Sequence, residues 1–186
     1  MAQPDSIALA ARALSRGLAS ILVGGNAVNL HSYSRTTFDV DLLVREADVD
    51  QWRSFFKEHG YEVSHQSANF VRLQFAADPT AALPVDLMLA DEHTFQQIEA
   101  ESRSADLGNN VTVSIPSPLH LIAMKLHALR NPQRLESGVD LQDVKHLIAA
   151  AAIDTSSKEF IDLTERYATD AVRKRLFREL GQKPGE

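Results

Sequence analysis

The chain contains no cysteine. Disulfides and thiolate metal sites are therefore excluded, which fits a reducing compartment. It also lacks any uninterrupted apolar run of the roughly 18–20 residues that cross a bilayer, and its opening segment, MAQPDSIALAARALSRG, has no basic region followed by a long apolar one. A soluble, cytoplasmic protein with no membrane partner is the expectation. Positive charge is in deficit as well, with 19 Lys and Arg against 25 Asp and Glu and a net charge of -6, so the surface as a whole repels a polyanion. A nucleic-acid partner would need a local basic patch, for which Arg173, Lys174, Arg175 and Arg178 are the candidates. The same cations also read as the ordinary complement to a helix C-terminal dipole. No internal repeat and no low-complexity linker interrupts the chain. What is present is a 186-residue sequence with 44% hydrophobic residues, enough for a real core in one domain, or one domain with a helical appendage.

Element signals divide the sequence in two. Ser6 reads as the cap of a helix to about Ser15, and Ile21 to Val23 as a strand stopped by Gly24 and Gly25. A short helix through Ala27, Val28, Leu30 and His31 and a polar loop from Ser32 to Thr37 follow. Phe38 to Val44 alternates, with Val40, Leu42 and Val44 on one face and Asp39, Asp41 and Leu43 on the other. Asp48 begins a D-x-x-Q cap for a helix carrying Trp52, Phe55 and Phe56 as core residues to Gly60. Strands are predicted at Tyr61 to His65, Asn69 to Phe75, Leu83 to Ala90 and Val111 to Ile115, with a helix at Glu92 to Glu101 before the last. From Ser117, a cap followed by Pro118 at the first helical position, the pattern is helical. Its helices run from Ser117, over Gly138 to Ala152, and from a capping box at Ser156 to Glu159 through Phe160, Leu163, Tyr167, Ala171 and Leu176. The expectation is an α+β core over residues 1–115, a mixed β-sheet flanked by helices, followed by a helical C-terminal part over 116–186 packed on it.

The chemistry-bearing residues lie in the first part. Asp39 and Asp41 fall on one face of a strand with roughly 7 Å between their Cα atoms, close enough for their side chains to converge on one ion. Without a cation they repel, and burial of like charges forces a proton onto one of them. An oxygen-only donor set favours a hard divalent ion, magnesium or manganese, or calcium, over zinc. Asp86, between Val85 and Leu87, is an acidic residue in an apolar strand and joins the pair if the two strands are neighbours. Gly24 and Gly25 let backbone approach a phosphate at the start of the following helix, although a Gly-Gly pair alone also reads as a simple turn.

With these residues in place, the segment ILVGGNAVNLHSYSRTTFDVDLLV, residues 21 to 44, resembles the signature of the DNA polymerase β-like nucleotidyltransferase superfamily: an apolar strand, G-G or G-S, a spacer, then h-D-h-D-h. The third carboxylate of that superfamily, in a later h-D-h strand, matches Val85-Asp86-Leu87. A narrower likeness runs through R-x-T-x-D-x-D at Arg35 to Asp41, L-I-A-x-K-L-x-A at Leu121 to Ala128 and D-x-x-D-x-x-x-L at Asp140 to Leu147. These are similar to small abortive-infection and toxin-like nucleotidyltransferases, except that Val139 stands where that group often has a basic residue. The resemblance implies a nucleotidyltransferase fold and magnesium- or manganese-dependent transfer of NMP from a nucleoside triphosphate such as ATP. Asp39, Asp41 and Asp86 would be catalytic metal ligands, and Gly24, Gly25, Arg35 and Lys125 would contact the nucleotide. It also implies a possible antitoxin partner.

Each assignment has a competing reading. Lys125 reaches either a phosphate or Asp140 or Asp143 on the next helix; Arg35 steadies the carboxylates, the γ-phosphate or a local ion pair; Thr37 is a loop hydrogen-bonder. His120 and His127 are seven apart on one helix, unlike a one-turn metal pair, and read as structural. The expected reaction is attack of an acceptor hydroxyl or phosphate on the α-phosphorus, with one metal on all three aspartates activating the acceptor and a second on Asp39 and Asp41 holding the leaving group. Asp86 is the candidate for helping to deprotonate the acceptor. A tRNA end or other RNA is the favoured acceptor. The alternatives are a silent nucleotide-binding or antitoxin-like module and an antibiotic-modifying nucleotidyltransferase.

Overall fold

The alternation Val40, Leu42, Val44 becomes an inner strand of a sheet in the computed structural model, which describes residues 5–31 and 34–182. Of the polar loop expected at Ser32 to Thr37, Ser32 and Tyr33 lie outside the described residues. The sheet consists of β1 (Ser20–Leu22), β2 (Val40–Arg45), β3 (Tyr61–Ser67), β4 (Phe70–Phe75) and β5 (Val85–Ala90), in the order β1-β2-β5-β4-β3. β2 and β5 are parallel, and every other neighbouring pair is antiparallel. The sheet is thus mixed, and with its helices the fold is α+β. A separate antiparallel ribbon joins β6 (Arg103–Asp106), a strand the sequence pattern did not reveal, to β7 (Thr112–Ile115).

Two compact units divide the described chain, one built from residues up to Ala27 and from Arg35 to Pro116, the other from Val28 to Ser34 and from Ser117 onward. In the first, α1 (Ser6–Ala13) is capped by Asp5 and not by Ser6. Tertiary structure claims the serine instead: its hydroxyl is buried, donating to the Leu83 carbonyl at 2.8 Å and meeting the Tyr61 hydroxyl at 2.9 Å. α2 spans Gly24–Leu30, of which the residues up to Ala27 belong to this unit, and α3 spans Val49–Glu58. Trp52, Phe55 and Phe56 of α3 are core residues, and Phe56 meets the Tyr61 ring edge-on at 5.3 Å. Asp48 stands at the cap position of α3 without a side-chain cap bond, facing Arg45 at 3.8 Å instead. α4 covers Glu92–Ala100.

In the second unit, Ser117 caps α5 (Pro118–Ala128) with Pro118 at its first position, as the sequence predicts. A short α6 (Pro132–Ser137), not apparent in the periodicity, precedes α7 (Val139–Ala150). The last helix expected is in fact two, α8 (Lys158–Tyr167) and α9 (Asp170–Glu179). Thr169 accepts the Val172 amide and restarts the helix, so the single stripe from Phe160 to Leu176 folds back, and Phe160 meets Phe177 edge-on at 6.3 Å. The cap of α8 is Ser157, because Ser156 turns its hydroxyl to Asp154. Among the described residues, no helix is long and apolar enough to cross a membrane.

Candidate active site

Strand register brings the three aspartates together. The β2–β5 pairing sets Asp41 opposite Asp86, and Asp39 lies two residues before Asp41, so the three project into one region. One carboxylate oxygen from each lies within 4.8 Å of the others. Asp86 is almost fully buried, while Asp39 and Asp41 are half-buried and open the cluster to solvent. The strand itself starts at Val40, so Phe38 and Asp39 lie ahead of it; Phe38 is 77% exposed. Two backbone bonds hold this approach in line: Val40 N–H donates to the Pro84 carbonyl and Val23 N–H to the Asp41 carbonyl, each at 2.9 Å. Asn26, which the sequence did not single out, adds a third tie by donating through Nδ2 to the Asp39 carbonyl at 2.8 Å. Its Oδ1 accepts from the Thr37 hydroxyl at 3.1 Å, the loop role expected of that threonine.

The glycine pair abuts these residues. Gly24 has φ +62°, in the left-handed region, and a Cβ there would overlap Oδ2 of Asp41. At Gly25 a Cβ would lie 2.5 Å from Cγ2 of Thr37 and 2.8 Å from Nη2 of Arg35. The close approach that Gly25 permits is made in this state by the chain's own Arg35 and Thr37, so the Arg35 guanidinium lies directly over the glycine backbone. Arg35 also donates to the Thr36 carbonyl at 3.2 Å.

A second residue missed in the sequence is Arg72. It sits on β4 opposite Asp86 of β5, which extends the Asp41–Asp86 row by one strand. Its Nε donates to Oδ1 of Asp86 at 2.7 Å and its Nη2 to Oδ2 at 2.6 Å, a bidentate pair, and Nη2 stands 3.6 Å from Asp39. Donating to the Asp86 carboxylate holds the Arg72 guanidinium above its ordinary pKa, against partial desolvation and with help from the charges of Asp86, Asp39 and Asp41. A signal was present: Arg72 is the lone cation in the apolar run FVRLQF, as Asp86 is the lone anion in VDLMLA.

Lys125 belongs to the second unit. Its ammonium is buried and donates to Asp140 and Asp143, each at 2.8 Å, while Arg134 makes a second ion pair with Asp140 at 2.7 Å. Arg173 and Arg175 of the basic run pair with Glu165 and Glu179, each at 3.0 Å. His120 meets the Ser117 hydroxyl at 3.2 Å, a helix-cap contact. The first unit also has a cleft of about 400 Å³. Its walls include Phe38 and Val40 but none of the three carboxylates.

No family model and no curated protein matches the sequence. Solved structures do match in fold. The antibiotic-resistance factor ANT(2'')-Ia, in solution, superposes over 94% of this chain and 91% of its own with TM-score 0.63 at 14% identity. An antigenic nucleotidyltransferase-like protein from Paracoccidioides brasiliensis does so over 95% and 91% with TM-score 0.56 at 19% identity. The chain has the DNA polymerase β-like nucleotidyltransferase fold. The lincosamide antibiotic adenylyltransferase LnuA, bound to lincomycin, shares this fold over 75% of the chain and 91% of its own, with TM-score 0.51 at 13% identity. In this fold the Gly24-Gly25 turn and the Asp39, Asp41 and Asp86 cluster belong to one unit and adjoin each other, since a side chain on Gly24 would meet Asp41.

Proposed function

We propose that this chain is a metal-dependent nucleotidyltransferase that moves NMP from a nucleoside triphosphate to a hydroxyl acceptor. The observation that carries the reading is the register of β2 against β5, which places three carboxylates within 4.8 Å on the nucleotidyltransferase fold. The donor set is oxygen only, which fits magnesium or manganese, and Asp39, Asp41 and Asp86 are the residues that would hold the ion. When bound, such an ion neutralises the carboxylates and the triphosphate and makes the acceptor hydroxyl easier to deprotonate. In the reaction the acceptor oxygen bonds to the α-phosphorus, the bond to the bridging oxygen of the β-phosphate breaks, and pyrophosphate leaves. Asp86 is the base nearest to the acceptor proton in this scheme, and Gly24, Gly25 and Arg35 position the triphosphate. Lys125 is assigned no phosphate contact, because two buried carboxylates already take its ammonium.

Thermal melts test the metal reading. Magnesium or manganese is expected to raise the melting temperature, and more so with a triphosphate, since each ligand binds only the folded state. An equal rise in the double variant Asp39→Asn, Asp41→Asn would sink the site.

For the acceptor, a hydroxyl on a small molecule is the reading we favour over an RNA end. Arg173 and Arg175, half of the cationic run that argued for RNA, are bound to acidic neighbours, and the chain carries a net charge of -6. ANT(2'')-Ia, solved with adenylyl-2''-tobramycin, shares the fold over 95% of its length. Labelled triphosphates offered with aminoglycoside-type and lincosamide-type acceptors, and separately with bulk tRNA, should label a small molecule. Label on tRNA alone would restore the RNA-end, toxin-like reading, and label on neither would favour a silent nucleotide-binding module.

Gly25→Val gives a further expectation. The added Cβ must displace Arg35 and Thr37, of which the arginine swings aside readily, so folding loses about 1 kcal/mol. Triphosphate affinity should fall by about tenfold, the worth of one charge-assisted contact. Unchanged affinity in the folded variant, read by titration calorimetry, would reduce the glycine pair to a turn.

A further inference from the structure

The carboxylate cluster is not a cluster of anions alone. Arg72 engages both oxygens of Asp86 in a planar two-point contact at 2.7 and 2.6 Å, and the same guanidinium reaches to 3.6 Å from Asp39. It therefore lies along the Asp86–Asp39 edge of the triad, within the space where the carboxylate oxygens converge. Its own element leaves it little freedom: Val71 and Leu73 on either side are buried, and the β4–β5 register sets Arg72 directly against Asp86. A fixed cation in that place does two things. It offsets the repulsion that three converging carboxylates would otherwise create in the absence of a metal. It also opposes any divalent ion that approaches Asp86, because each carboxylate oxygen already gives one of its lone pairs to the guanidinium and the like charge stays nearby.

We propose that Arg72 is a resident counter-cation that stabilises the triad without metal and keeps its affinity for a divalent ion low until a triphosphate brings the metal in. This rests on the functional reading above and deepens it. Asp39 and Asp41 hold the ion that arrives with the nucleotide, and Asp86 takes part only as Arg72 yields one of its oxygens. Arg72 acts through Asp86 and is in this sense a positioning residue. Free protein would then carry little metal, and metal and nucleotide would bind with positive coupling, each making the other's site more favourable.

The test is Mn²⁺ binding to the full chain without nucleotide, followed by paramagnetic resonance of the free ion, for the wild type, Arg72→Gln and Arg72→Lys. Removing the cation in Arg72→Gln is expected to tighten Mn²⁺ binding by about tenfold or more. Arg72→Lys, which keeps a charge but loses the two-point fork, should fall between. Melting temperatures give a second readout, which a purely structural ion pair would not move in the same way: Arg72→Gln should melt lower than the wild type in EDTA and recover most of the difference in Mn²⁺. A variant that folds only with Mn²⁺ would agree with the proposal. Mn²⁺ affinity equal to the wild type in both variants, or a melting deficit that is the same with and without the ion, would overturn it while leaving the metal site standing. Weaker binding in Arg72→Gln would also overturn it, showing that Arg72 presents Asp86 to the ion. Absence of Mn²⁺ binding in all three proteins, with and without triphosphate, would remove the functional reading and this inference together.

Discussion

Asp41→Asn is expected to lower the rate of nucleotide transfer by on the order of 10³-fold or more, with the fold intact. Asp41 lies on a central strand, its carbonyl accepts the Val23 amide, and its side chain sits against Gly24, so the nearly isosteric amide keeps the packing while removing a charge. Loss of a carboxylate that offsets the charge of a bound cation forfeits several kcal/mol of transition-state stabilisation, and each 1.4 kcal/mol or so is a factor of ten in rate. Asp86→Asn should differ in kind. Asp86 is tied to Arg72 and belongs to the acceptor side of the proposed site, so its variant should lose turnover while retaining metal–triphosphate binding, whereas Asp41→Asn should lose both. Pyrophosphate release under single-turnover conditions, set beside triphosphate affinity from titration, separates the two. Parallel loss of binding in both variants would refute this division of labour.

Lys125→Met should destabilise the protein by about 3–5 kcal/mol, the usual cost of stripping one partner from a buried ion pair. The ammonium is the shared partner of Asp140 and Asp143, both buried, and methionine covers the same stem without the charge. Chemical denaturation of variant and wild type measures the difference directly. The pH dependence provides a check of sign. In the wild type, burial pushes the Asp140 carboxyl up, but hydrogen bonds and charge from Arg134 and Lys125 outweigh burial and hold it below its ordinary value. A depressed carboxylate contributes stability above its unfolded pKa and loses it as pH falls through the folded one. The wild type should therefore lose this contribution only at strongly acidic pH. In Lys125→Met, burial is opposed by Arg134 alone, so lowering the pH from 7 towards 5 should cost the variant nothing and is expected to raise its melting temperature. A loss below 1 kcal/mol, or the same pH slope in both proteins, would mean that Arg134 suffices.

The sequence by itself determined the elements whose signals are local. Alternation located β2, a short apolar run located β5, Ser117 and Pro118 located the start of α5, and the acidic residues set among apolar neighbours at Asp39, Asp41 and Asp86 stood out because such charge has no reason to be there without a partner. The glycine pair, the aspartates and the spacing between them carried the resemblance that implied the fold. Where two local signals competed, tertiary structure chose between them: Ser6 left its cap position for Tyr61 and Leu83, Asp48 made no cap bond, and Thr169 broke the last helix in two. The identity of partners was likewise out of reach. Lys125 faced either a phosphate or a carboxylate on equal terms until α5 and α7 packed and gave it to Asp140 and Asp143. Arg72 stood out only as a cation in an apolar run and Asn26 not at all, and neither showed its partner; those partners lie 14 and 13 residues away and are reached only through strand register and loop closure. A side chain's local pattern states that it requires a partner, but which partner it meets is set by the pairing of strands and helices distant in sequence, and that pairing exists only in the folded chain.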